Sequence, residues 1–208
     1  MLNARDVMKV SKIIPVISVN TPEQMLYLAD ALIKGGVSIF EITLRTPSAL
    51  QAIEAVAKEF PHAMTGAGTV INAATYRDVE NAGAKFAISP GLTKELALAS
   101  ENSHMPLLPG VATASEIMQG LAYGFDAFKL FPAAVVGGVA ALKAFGGPFQ
   151  DVVFCPTGGI NAENAKSFLD LPNVLCIGGS WIVPQDLIEA KKFGEITELT
   201  RQAVKLLS

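Results

Sequence analysis

Lys129 lies in Asp126-Ala127-Phe128-Lys129-Leu130-Phe131-Pro132, an apolar run that reads as a buried strand. Burial disfavours an ammonium ion, and a desolvated amine is the usual nucleophile toward a carbonyl carbon, through a Schiff base. The alternative is a strand-end lysine whose head snorkels to water. Glu41 is an acid inside a second apolar run, Val37-Ser38-Ile39-Phe40-Glu41-Ile42. A carboxylate there could move protons, or simply pair with Lys129 or Arg45. Arg45, just past that run, could grip a carboxylate bidentately or remain a solvated loop residue. Thr69 closes Thr65-Gly66-Ala67-Gly68-Thr69, where small neighbours allow close ligand approach or an ordinary turn. Thr157-Gly158-Gly159-Ile160 and Gly178-Gly179-Ser180 follow two further apolar runs. Backbone N–H groups in such loops can cradle phosphate, although either glycine pair alone is also a turn signal. Phe131 and Pro132 either wall the Lys129 amine from water or pack nearby.

The elements that must position these residues follow from a rhythm of caps and apolar runs. Thr21-Pro22-Glu23-Gln24 and Thr113-Ala114-Ser115-Glu116 are helix starts, and Thr46-Pro47, Asn72, Thr93 and Asn161 also precede helix-forming stretches. Between the caps lie apolar runs at 13–18, 37–43, 64–69, 85–89, 107–110, 127–131, 152–157 and 174–178. Eight buried strands, each followed by a helix, predict a single (β/α)₈ TIM barrel domain over residues 1–208, with a closing helix from Gly194 to Ser208. The rival is a doubly wound open sheet. Gly66-Ala67-Gly68 lends it some support, but no third glycine completes a dinucleotide fingerprint. Strand alternation puts Ile39, Glu41 and Thr43 on one face, and Ala127, Lys129 and Phe131 on another. On the strand count these are the second and sixth strands, which stand opposite one another in an eight-stranded barrel. Glu41 and Lys129 are therefore expected to face each other across its interior.

Composition excludes other classes. Net charge is −3 and no block of Lys or Arg stands out, so no nucleic-acid or membrane-surface partner is expected. The N-terminal residues lack a long apolar segment, so no signal peptide is expected, and no apolar run approaches a membrane span. Cys155 and Cys176 read as small core residues of a cytoplasmic protein. His62 and His104 stand beside prolines, in loops, and no His or Cys spacing suits zinc, so no metal site is expected.

Taken in order, Ile14-Pro15-Val16-Ile17, Glu41-Ile42-Thr43-Leu44-Arg45-Thr46, Gly66-Ala67-Gly68-Thr69-Val70, Ser89-Pro90-Gly91, Leu108-Pro109-Gly110-Val111, Phe128-Lys129-Leu130-Phe131-Pro132-Ala133, Pro156-Thr157-Gly158-Gly159-Ile160 and Gly178-Gly179-Ser180 resemble the 2-keto-3-deoxy-6-phosphogluconate (KDPG) and 4-hydroxy-2-oxoglutarate (KHG) aldolase family. The resemblance runs through nearly the whole chain. It implies a class I aldolase on a TIM barrel, without metal or other cofactor, cytoplasmic and usually a homotrimer, acting in the Entner–Doudoroff pathway. Its substrate would be a phosphorylated 2-keto acid. The family pattern makes Lys129 the Schiff-base lysine and Glu41 the proton shuttle. It assigns the substrate carboxylate to Arg45 and Thr69, and places Phe131 beside the imine. Thr157 would read stereochemistry, and Gly158, Gly159, Gly179 and Ser180 would hold phosphate. Alternatives are the same chemistry on the phosphogalactonate epimer or on unphosphorylated KHG, a phosphate-binding barrel isomerase or synthase, and a non-catalytic sugar-phosphate sensor.

Overall fold

Every strand pairing in the computed structural model, which describes residues 2–208, is parallel. The strands are β1 (Ile13–Ile17), β2 (Ile39–Thr43), β3 (Met64–Gly68), β4 (Phe86–Ile88), β5 (Leu107–Leu108), β6 (Gly110–Val111), β7 (Ala127–Leu130), β8 (Val153–Pro156) and β9 (Ile177–Gly179). One sheet runs β5-β4-β3-β2-β1-β9 and the other β6-β7-β8. Two seams join them into a closed ring. At one, β5 and β6 are halves of a single barrel strand interrupted at Pro109, a residue with no N–H for the ladder. At the other, isolated bridges link Phe154 to Val174 and Thr157 to Gly178. The ring thus has eight strand positions, and the expected (β/α)₈ barrel replaces the open-sheet rival.

Helices cover the outside. The principal ones are α2 (Pro22–Gly35), α3 (Ala49–Glu59), α4 (Ala73–Asn81), α5 (Lys94–Glu101), α6 (Ala114–Ala122), α7 (Gly138–Phe145), α8 (Ala165–Leu169), α9 (Gln185–Glu189) and α10 (Phe193–Leu207). The side chains of Thr21, Asn72, Thr93 and Thr113 cap α2, α4, α5 and α6, each accepting the backbone N–H three residues on. α2 ends at Gly36 with φ of 99°, a left-handed cap that suits glycine. α10 closes the ring against α2, where a Cβ on Gly35 would strike Thr200, so glycine is what lets the two helices approach. Among the described residues, no helix is long and apolar enough to cross a membrane.

Three local expectations need correction. Thr46 does not cap α3. Ser48 holds that position without a side-chain cap bond, and the Thr46 hydroxyl donates instead to the Val19 carbonyl at 2.7 Å. Asn161 does not directly precede a helix. It turns the chain by accepting from the N–H groups of Glu163 and Asn164, and α8 begins four residues on at Ala165. The last barrel strand is assigned from Ile177 rather than Val174, which leaves Cys176 just ahead of it. An element without a strong sequence signal also appears: α1 (Ala4–Lys9). Its Val7 and Met8 are buried, and Arg5 pairs with Asp126 at 2.8 Å and donates to the Asp151 carbonyl. Asp126 immediately precedes β7, so α1 seals the end of the barrel where the strands begin.

Candidate active site

Glu41 and Lys129 meet in the barrel interior, with Lys129 Nζ 3.0 Å from Glu41 Oε1. The side chains are 6% and 2% exposed, so bulk water is excluded from the pair. Each comes from the middle of its strand, β7 and β2, as alternation requires. Room for the carboxylate comes from β3. A Cβ on Gly68 would overlap the Glu41 carboxylate, and one on Gly66 would overlap the Phe86 ring. Lys129 Nζ also stands 5.2 Å from the centroid of the Phe131 ring, two residues along the same face. The pair is isolated and close enough for direct proton exchange.

A cavity of about 340 Å³ opens at the ends of the strands where (β/α)₈ enzymes carry their sites; Glu41 and Lys129 do not themselves line it, and Phe131, 5.2 Å from Lys129 Nζ, connects it to the pair. Arg45, Phe131, Thr157, Gly158, Gly159, Gly179 and Ser180 all line it. Arg45 makes no salt bridge among the described residues, so its guanidinium is free for an anion. Gly158 and Gly159 have φ of 103° and 74°, conformations that favour glycine. Their loop is pinned from two sides. Ala133 and Ala134, just after β7, donate N–H groups to the carbonyls of Thr157 and Gly158 at 2.8 and 3.1 Å. The Asn164 side chain donates to the Gly159 carbonyl at 2.9 Å. The strand that carries Lys129 and the glycine loop are thus one hydrogen-bonded unit.

Thr69 is placed differently. It sits at the end of β3 with φ of 62°, an uncommon conformation for a β-branched residue, and it does not line the cavity. Sequence reasoning also missed lining residues. Val16 and Ser18 continue the inward face of β1, while Ile160, Val183, Pro184 and Gln185 close the far wall. The signal for Ser18 was a polar residue interrupting the apolar run Ile13–Val19.

The two cysteines take no part in the cavity lining. Burial, reinforced by neighbouring Cys155, pushes the Cys176 thiol well above its usual range, which suits a packed thiol rather than a nucleophile. His62 and His104 are both exposed. Among the described residues, no three His, Cys, Asp or Glu side chains gather as metal ligands.

A closed parallel barrel with a polar cavity at the carboxyl ends of its strands defines a (β/α)₈-barrel enzyme. The family model "Aldolase: KDPG and KHG aldolase" matches residues 4–199, and the chain belongs to that family. It is 50% identical over 203 residues to the KHG/KDPG aldolase of Escherichia coli K12, covering 98% of this chain and 95% of the relative. It is 48% identical over 203 residues to the 2-dehydro-3-deoxy-phosphogluconate aldolase of Pseudoalteromonas atlantica, covering 98% and 94%. A solved KDPG aldolase from Legionella pneumophila, with pyruvate captured at low pH as a covalent carbinolamine intermediate, superposes with a TM-score of 0.95 at 50% identity, covering 96% of this chain and 97% of that one.

Proposed function

We propose that this chain cleaves KDPG to pyruvate and glyceraldehyde 3-phosphate through a Schiff base on Lys129. The observation that carries this reading is the sealed amine–carboxylate pair at 3.0 Å. The amine of Lys129 attacks the C2 ketone, and the carbinolamine loses water to give an iminium. Glu41 takes the C4 hydroxyl proton. The C3–C4 bond then breaks, its electron pair flows into the iminium, and glyceraldehyde 3-phosphate leaves. The enamine is protonated at C3, and hydrolysis releases pyruvate and the free amine. Arg45 holds the substrate carboxylate from the cavity wall, and the family pattern adds Thr69, which stands at the end of the neighbouring strand outside the cavity lining. Phe131 shields the imine, and Thr157 reads the C4 stereocentre.

Pyruvate and glyceraldehyde 3-phosphate should appear in equal amounts when the chain is given KDPG. If neither forms, the reading is wrong. The paired name of the Escherichia coli relative supports a second substrate, KHG, cleaved to pyruvate and glyoxylate. On this reading residues 1–208 act as one domain, in a cytoplasmic homotrimer of the Entner–Doudoroff pathway. Sedimentation equilibrium tests the trimer.

Gly158, Gly159, Gly179 and Ser180 hold the substrate phosphate. The N–H groups of Gly159 and Ser180 donate to no partner among the described residues, which supports this assignment. A side chain at Gly159 would meet the Ala134 Cβ and crowd that anion site. In Gly159→Val, kcat/KM for KDPG should fall by roughly 10- to 100-fold, the scale of hydrogen bonds to a charged group. Turnover of KHG should change several-fold less. Equal losses on the two substrates would show that this loop does not read phosphate.

The iminium supplies the electron sink that a Lewis-acid metal supplies in other lyases. Exhaustive dialysis against a chelator should therefore leave kcat unchanged. Activity lost on dialysis and restored by Zn²⁺ or Mg²⁺ would refute the mechanism.

A further inference from the structure

Ser18 lines the cavity at the end of β1, and its hydrogen bonding dictates what it can offer a ligand. Thr43, the last residue of β2, has one hydroxyl proton and donates it to the Ile17 carbonyl at 2.8 Å. Ser18 Oγ lies 2.8 Å from Thr43 Oγ1. Because the threonine proton is already committed, Ser18 must be the donor in that contact. Its own proton is then committed too, and its oxygen faces the cavity with lone pairs only. Thr43 is 1% exposed, so water cannot easily compete for this arrangement. The arrangement is a relay with a fixed direction, from Ser18 to Thr43 to Ile17.

We infer that Ser18 is a specificity-determining acceptor for the substrate's C5 hydroxyl, an assignment that rests on the aldolase reading above. Position selects the hydroxyl. Ser18 stands between Thr43, which is followed two residues on by Arg45, and β9, where Pro15 of β1 pairs with Gly179 beside Ser180. It is therefore flanked by the carboxylate anchor on one side and the phosphate loop on the other. A six-carbon substrate stretched between those anchors carries hydroxyls at C4 and C5. The C4 proton goes to Glu41 beneath, which leaves the C5 hydroxyl, next to the phosphate-bearing carbon, to donate to Ser18. Of the cavity's other polar groups, the Arg45 guanidinium and the glycine N–H groups only donate; Thr157, Ser180 and Gln185 can also accept, but Ser18 is the one set on β1 between the two anchors.

The test compares KDPG with its 5-deoxy analogue in the wild-type chain, Ser18→Ala and Ser18→Thr. Ser18→Ala should lower kcat/KM for KDPG by about five- to tenfold, the scale of one neutral hydrogen bond, and change the 5-deoxy substrate by less than about twofold. Ser18→Thr keeps an oxygen in place and should recover most of the preference. A merely structural role would move both substrates together, so equal losses, or no loss on either, would overturn the assignment. Borohydride trapping of pyruvate by Ser18→Ala separates the two levels. An adduct formed as readily as in the wild type leaves the aldolase reading standing whatever the substrate comparison shows. A wild-type chain that forms no adduct overturns that reading, and this inference with it.

Discussion

Borohydride reduction in the presence of pyruvate should leave a single covalent adduct on Lys129 and no recoverable activity. The expectation follows from the burial of this amine within β7, against Phe131 and 3.0 Å from an acid that can manage its protons. Lys129→Arg is the informative variant. It keeps a cation beside Glu41, so it avoids the cost of about 3–5 kcal/mol that follows when a buried carboxylate loses its partner. A guanidinium has no usable nucleophilic amine, however. The variant should fold, fail to trap pyruvate, and lose kcat by on the order of 10⁴-fold or more, the scale for removing a covalent nucleophile. Peptide mapping by mass spectrometry checks the position. An adduct at another lysine would move the site elsewhere.

In Glu41→Gln, cleavage of KDPG should fall by roughly 10²–10⁴-fold, the range for losing a general base. Glutamine fits the space left by Gly68 almost as glutamate does, so the barrel need not repack. It cannot take the C4 hydroxyl proton. The Lys129 amine remains, and pyruvate should still be trapped, though more slowly, because dehydration of the carbinolamine also needs proton transfer. Trapping and turnover measured on the same preparation thus separate imine formation from bond cleavage. Near-normal cleavage would reduce Glu41 to a counter-ion and put the base elsewhere.

The encounter of Glu41 with Lys129 was legible in the sequence because it depends on two robust regularities. Side chains alternate along a strand, and a count of apolar runs puts the two strands opposite each other. The glycine loops were legible for a similar reason, since their place after the seventh and eighth runs carried more information than their composition. What escaped is physically different. α7 left no cap signal, because its N-cap is Gly137, with φ of 102° and no side-chain bond; the sequence therefore offered no helix start between Thr113 and Asn161. α1 has a capping box at Asn3 but only six residues, and its place depends on Arg5 reaching Asp126, a contact 121 residues distant. The break at Pro109 divides a strand whose apolar pattern runs on unbroken. Ser18 left only a polar interruption in an apolar run, because the direction of its proton depends on Thr43 of β2 and Ile17 of β1, which the sequence does not show to be neighbours.

Thr157 and Gly178 face each other across the bridge that closes the ring, and a Cβ on Gly178 would occupy the space of the Thr157 hydroxyl. The two positions therefore share one volume, so a side chain at one constrains what fits at the other. A lineage can trade the threonine for another side chain of similar or smaller bulk while the glycine stays. It cannot replace the glycine first without displacing the hydroxyl that faces the cavity. A side chain at 178 fits only after 157 has shrunk. The seam of the barrel thus sets an order of events, in which the larger side chain at 178 must come second.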